Sequence, residues 1–198
     1  MKIIVLGFVT FIVAAPAVAP EPLGQIQFVP ISEGASALEI RAIEEAGDIA
    51  NRVKNSDCFR EFMASRRLIE TNGRTPSEVV FQLQALSGQI PVGLYFRCLE
   101  GSVGCTSPTS AVAYRQPPDN TIYVNRAYYN ISVGTVDLYE LAGSLAHEGI
   151  GHVLGGYDHS YTWTPQRDLS VPYSISGASQ TNDDAFRHCR APLGYGAE

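Results

Sequence analysis

Three of the four histidines lie within thirteen residues, in the run His147-Glu148-Gly149-Ile150-Gly151-His152-Val153-Leu154-Gly155-Gly156-Tyr157-Asp158-His159. Imidazole nitrogens gathered this closely are ordinary zinc donors, and a glutamate beside the first of them is placed to move a proton. The spacing poses a geometric problem. An α-helix turns about 100° per residue, so positions i and i+4 point about 40° apart, whereas i and i+5 point about 140° apart. His147 and His152 are five apart, and donors splayed that far cannot share one ion. An inserted residue, a π-bulge, rescues the geometry, and Gly149 and Gly151 are the residues that permit it. The competing reading is that these glycines, each costing up to about 1 kcal/mol in a helix interior, end the helix near Glu148 and leave His152 in a loop.

The segment resembles the HExxHxxGxxH signature of zincin metallopeptidases of the metzincin kind, with one extra residue between the first two histidines. His152 is followed by Gly155 at the three-residue step and by Asp158 and His159 where a third ligand belongs. The hexapeptide His147 to His152 is also similar to the HExxGH motif of the dipeptidyl peptidase III family, although nothing here resembles that family's second, glutamate-bearing helix. Downstream, Asp168-Leu169-Ser170-Val171-Pro172-Tyr173 is similar to the methionine turn that floors the metzincin metal site, with proline in the place of methionine and the tyrosine one residue early.

The resemblance implies that His147, His152 and His159 hold Zn2+, with Asp158 as the alternative third ligand, because Asp158 lies three residues after Gly155 and His159 three after Gly156. It implies Glu148 as general base, and Tyr173 as a residue able to hydrogen-bond a developing oxyanion. The expected activity is hydrolysis of peptide bonds in a peptide or protein substrate by metal-activated water. Two alternatives stay open: a catalytically degenerate zinc-binding protein, and a disulfide-stapled binding protein without metal. Arg167 and Asp168 are expected to pair on the surface, and His188, beside Cys189, to be an ordinary histidine. Trp163 is placed in a polar loop as a cleft wall or a lid over the core.

Composition agrees with a small exported domain. At 198 residues, 45% hydrophobic and 17% charged, the chain can bury one substantial core. Met1-Lys2, the apolar run from Ile3 to Val13 and Ala15-Pro16-Ala17-Val18-Ala19 have the order of a signal peptide, and the run is too short to span a bilayer. The expected organisation is a signal peptide over 1–19, an extended surface lead-in over 20–34 and one domain over 35–198, secreted or periplasmic, without stable membrane association after cleavage. Four cysteines then pair. Of three connectivities, Cys98 with Cys105 and Cys58 with Cys189 are preferred, the first closing a short loop and the second restraining the unfolded chain most. A net charge of -6 without any basic stripe argues against nucleic acid. The sequon at Asn130 is common by chance.

The elements that must carry these residues can be read from periodicity. Leu38, Ile40, Ala42, Ile43, Ala46, Ile49, Ala50 and Val53 recur at helical spacing behind a cap at Ser36, predicting a helix from Ala35 to about Lys54. A shorter helix follows around Cys58 to Ser65. Thr75 as cap, Pro76 at the first position and Glu78 closing a capping box predict a third helix to about Leu86. Residues 91–98, 111–115 and 121–125 read as strands, the last two antiparallel across the turn at 117–120. Leu138, Leu141, Ala142 and Leu145 form the apolar stripe of a helix from Val136 to Ile150 that carries His147. The expected fold is α+β: a single zincin-like domain with a small, largely antiparallel sheet packed on the active-site helix and the N-terminal helices.

Overall fold

The computed structural model describes residues 23–95, 113–116, 120–129, 131, 134–159, 167–177 and 183–195. Residues 1–19, expected as a signal peptide, and Cys98, Cys105, Asn130 and Trp163 lie outside them. In chain order the elements are β1 (Ile26–Pro30), α1 (Ala37–Lys54), α2 (Asp57–Ser65), α3 (Pro76–Ala85), β2 (Gly88–Tyr95), β3 (Ala113–Gln116), β4 (Thr121–Asn125), α4 (Leu138–Leu145), α5 (Val171–Ile175) and α6 (Ala185–Arg190). The fold is α+β, as expected.

The helix starts follow their caps. The Ser36 side chain accepts from the Glu39 N–H while the Glu39 carboxylate accepts from the Ser36 N–H at 2.7 Å, and Thr75 with Glu78 repeats the arrangement at α3. Both boxes satisfy orphan amide donors of a first turn.

The sheet corrects two expectations. Its strand order is β1-β2-β4-β3. β1 pairs parallel with β2, β2 parallel with β4, and only β3 with β4 is antiparallel. The expected largely antiparallel sheet is therefore mainly parallel. One parallel pair comes from β4 lying beside β2 with β3 outside it, and the other from β1, which falls inside the segment expected as a surface lead-in. Ile26 and Phe28 are 3% and 6% exposed, so alternate residues of that segment enter the core. With α1, α2 and α3 between β1 and β2, the connection is a long crossover, which returns a strand parallel to the first. The β3–β4 hairpin has the expected direction, with Tyr114 opposite Tyr123.

One face of the sheet packs on α1 and on the helix that carries the histidines. Ile90, Val92, Ile122 and Val124 meet Ile43, Ala46 and Ile49 of α1 and Leu141, Leu145 and Ile150 further along, all buried. Lys54 is fully buried at the end of α1, and its ammonium donates to the carbonyls of Gly24, Gln84 and Leu86 at 2.8, 3.0 and 3.3 Å. This binds Gly24, just before β1, and the end of α3 to one point. Cys58 and Cys189 form a disulfide that joins α2 to α6, as preferred from the sequence. Among the described residues no helix is long and apolar enough to cross a membrane.

Candidate metal centre

The helix that begins as α4 does not stop at Glu148. From Ala146 to Leu154 it continues as π-helix. In a π-helix the hydrogen bonds run between residues five apart, so side chains at i and i+5 come into line as those at i and i+4 do in an α-helix. The expected bulge is thus extended to more than two turns of the histidine segment, and it brings the His147 and His152 rings to 5.2 Å between centroids.

Gly149 and Gly151 serve a purpose beyond backbone freedom. A Cβ on Gly149 would lie 2.7 Å from Phe28 Cε1 and 2.8 Å from Ile90 Cδ1. A Cβ on Gly151 would lie 3.0 Å from Pro172 Cβ. The two glycines let one side of the helix press on the sheet and the other on α5. The helix ends at Gly156, whose φ of 68° is left-handed and whose N–H donates to the His152 carbonyl at 3.1 Å. The turn then returns His159 to the other two imidazoles. The spacing from Gly156, not that from Gly155, delivers the third histidine.

The donor atoms of His147, His152 and His159 all lie within 4.8 Å of one another. His147 Nε2 and His159 Nε2 are 3.4 Å apart. Two tetrahedral ligands each about 2.05 Å from zinc are about 3.3 Å apart, so this pair already spans the right distance. His147 Nδ1 donates to the Ser176 carbonyl at 2.8 Å, and His152 Nδ1 donates to the Tyr157 carbonyl at 2.6 Å. A carbonyl only accepts, so each Nδ1 carries its proton and each Nε2 presents a lone pair, the form a metal requires. Burial, with the neighbouring imidazoles, lowers the pKa of both His147 and His152 to about 4. Both are therefore neutral at pH 7 without any metal. The donor set and its protonation suit the three imidazoles to hold a metal ion.

Asp158 stands outside this set. Its side chain is 82% exposed, its carboxylate is 3.7 Å from Arg115 Nη2, and it is equally far from His152 Nδ1, which already donates to Tyr157. Glu148 is half-buried beside the cluster. Burial raises its pKa, opposed by the neighbouring imidazoles and the Arg115 guanidinium and by the Arg115 backbone N–H, which hydrogen-bonds its carboxylate. That N–H comes from β3, the edge strand nearest the helix.

Tyr173 joins the site from α5. Its ring lies 4.8 Å from that of His147 and 4.6 Å from that of His159. Pro172 braces Gly151 from the same turn, so the segment that resembles the methionine turn does lie beside the histidines. Arg167 is not the surface residue expected: it is 8% exposed, and its guanidinium stacks 4.4 Å from the Tyr173 ring centroid. His188 lies outside the cluster, exposed and stacked on Phe62 at 4.9 Å. The Ser176 and Tyr157 carbonyls are not legible in the sequence, because a backbone acceptor belongs to every residue. The side chain of Tyr157 is fully buried and donates to Gln82 Oε1 at 2.7 Å, fixing the turn from α3.

Comparisons with protein-family models, curated proteins and solved structures return no match to this chain.

Proposed function

We propose that the chain is an exported zinc-dependent peptidase in which His147, His152 and His159 hold the ion, Glu148 is the general base and Tyr173 stabilises the oxyanion. The observation that carries this reading is the convergence of three imidazoles, two with Nδ1 committed to a carbonyl and Nε2 turned inward. Three protein donors leave a coordination position open, the arrangement of catalytic rather than structural zinc. Zinc held there supplies a Lewis acid that acidifies water and polarises a carbonyl.

The remaining steps belong to the chain. Glu148 follows a ligand directly and is not part of the donor set, so its carboxylate is available to take the proton of the attacking water and pass it to the leaving amine. Its raised pKa brings it closer to working pH, which favours both halves of that transfer. Tyr173, in ring contact with two of the ligands, offers its hydroxyl to the oxygen on which charge develops. Among the described residues β3 is an edge strand of the sheet, and an extended peptide added there would run past Glu148, which the Arg115 N–H already faces. The Cys58–Cys189 disulfide supports an oxidising compartment.

The test is metal content together with hydrolysis of a fluorogenic peptide library by wild type and Glu148→Gln. Retained zinc with hydrolysis reduced by at least about 10³-fold supports the assignment. Equal activity in the two proteins removes Glu148 as base. Bound zinc with no hydrolysis by the wild type favours the non-catalytic zinc-binding reading.

A further inference from the structure

Asp184 is 1% exposed and caps α6, with Oδ1 accepting from the Arg187 N–H at 2.9 Å. A cap needs one oxygen, and serine or asparagine serves as well. The second oxygen of Asp184 accepts instead from the Gly177 N–H at 3.0 Å, across seven residues of chain. Gly177 directly follows Ser176, whose carbonyl accepts from His147 Nδ1 at 2.8 Å. Burying a carboxylate costs several kcal/mol unless it is well hydrogen-bonded; Arg187 Nε, 3.8 Å from the second oxygen, offsets part of that charge, and the Gly177 N–H is the partner that a cap alone does not need.

The anchor of that carboxylate is itself fixed. α6 is joined through Cys189 to Cys58 on α2. Its Phe186 carbonyl accepts from the Tyr139 hydroxyl at 2.5 Å, and Tyr139 lies on α4, the helix that runs into the π-segment bearing His147. The contacts close a ring: His147 to Ser176, Gly177 to Asp184, α6 to Tyr139, and back along α4 to His147. The carbonyl that aims the imidazole is thereby held relative to the helix that carries it.

We propose that Asp184 is a positioning residue of the metal centre, whose carboxylate, held on the disulfide-anchored α6, fixes the Ser176 carbonyl that orients His147. This rests on the metal-centre reading above. Loss of such an outer partner of a ligand lowers metal affinity by about 10- to 100-fold.

The experiment uses Asp184→Ser, which keeps a capping oxygen for Arg187 but is too short to hold Gly177. Zinc affinity is measured by competition with a chromophoric chelator, and the His147 Nδ1–H proton is followed by NMR in metal-free protein. Ser36→Ala, which removes the cap of α1 away from the site, is the control for a general loss of stability. The expected result is zinc affinity at least about 10-fold weaker in Asp184→Ser and within about two-fold of wild type in Ser36→Ala. The low-field imidazole proton is expected to be lost only in Asp184→Ser. If Asp184→Ser does not fold, Asp184→Asn, which keeps the shape but turns one acceptor into a donor, takes its place with the same expectation. A folded variant with unchanged affinity and an unchanged imidazole proton overturns the proposal. Wild-type protein that takes up no zinc overturns the metal centre, while the imidazole comparison still decides whether Asp184 holds His147.

Discussion

Replacing Gly149 by alanine tests whether the histidine helix is pressed onto the sheet. In an unpacked helix the change stabilises by up to about 1 kcal/mol, since alanine is the better helix former. Here the added methyl would lie 2.7 Å from Phe28 Cε1, 2.8 Å from Ile90 Cδ1 and 3.2 Å from Ile122 Cδ1. Carbon atoms prefer about 3.5 to 4.0 Å, so all three contacts overlap, on side chains that are themselves buried. Overpacking of this sort costs about 1–3 kcal/mol. With the full helix gain set against it, the net loss is up to about 2 kcal/mol, or a Tm lower by up to roughly 8 °C for a domain of this size. Ile90→Val deletes the Cδ1 atom in the way. Alone it should cost about 0.5–1.5 kcal/mol, but in the Gly149→Ala background it should cost nothing or restore stability. Calorimetric or denaturant unfolding of the four proteins gives the coupling. A Tm that rises in Gly149→Ala, or two additive losses, would refute the close contact between helix and sheet.

Other predictions concern charge, the buried lysine and the hydroxyl in the site. In metal-free protein, His147 and His152 have folded pKa values near 4 and unfolded values near 6.5, so the unfolded state binds more protons between those limits. Stability therefore falls as pH drops from about 6.5 to about 4. Unfolding midpoints across that range should show the slope for wild type and a flatter one for His147→Phe, and no slope in wild type contradicts neutral burial. Lys54→Met leaves three backbone carbonyls without their donor and should destabilise by about 2–4 kcal/mol in urea unfolding. Tyr173→Phe should lower kcat about 10²-fold with KM and zinc content little changed, as for loss of one oxyanion donor.

The helix starts and the grouping of the three histidines were legible in the sequence where local rules decide them. Ser36 with Glu39 and Thr75 with Pro76 and Glu78 name the starts of α1 and α3, because capping is a contact between residues three apart. The five-residue step between His147 and His152 admitted two outcomes, and the π-helix is the one found. What settled it was distant: Phe28, Ile90 and Pro172 press on Gly149 and Gly151 from the sheet and from α5. β1 lies in a segment rich in proline, glycine and small residues, which reads as a lead-in, and with only Ile26 and Phe28 of its five residues turned into the core it leaves little alternation to detect. Without β1 the crossover that adds the parallel β1–β2 pair is missed too. α5 and α6 have five and six residues, too short for periodicity to register. Arg167 looked like a surface charge because nothing local shows that Tyr173 would be stacked beneath it.

The central claim is that the π-helical run turns three imidazole nitrogens onto one ion. X-ray absorption at the zinc edge, on protein purified with zinc and containing one equivalent, measures this most directly. The expected spectrum has three nitrogen donors of imidazole type at about 2.0–2.1 Å and one oxygen donor completing the shell. One imidazole should disappear in each of His147→Ala, His152→Ala and His159→Ala, and none in Asp158→Ala. A shell with fewer than three imidazoles, one that changes with Asp158→Ala, or folded protein that binds no zinc would contradict the account.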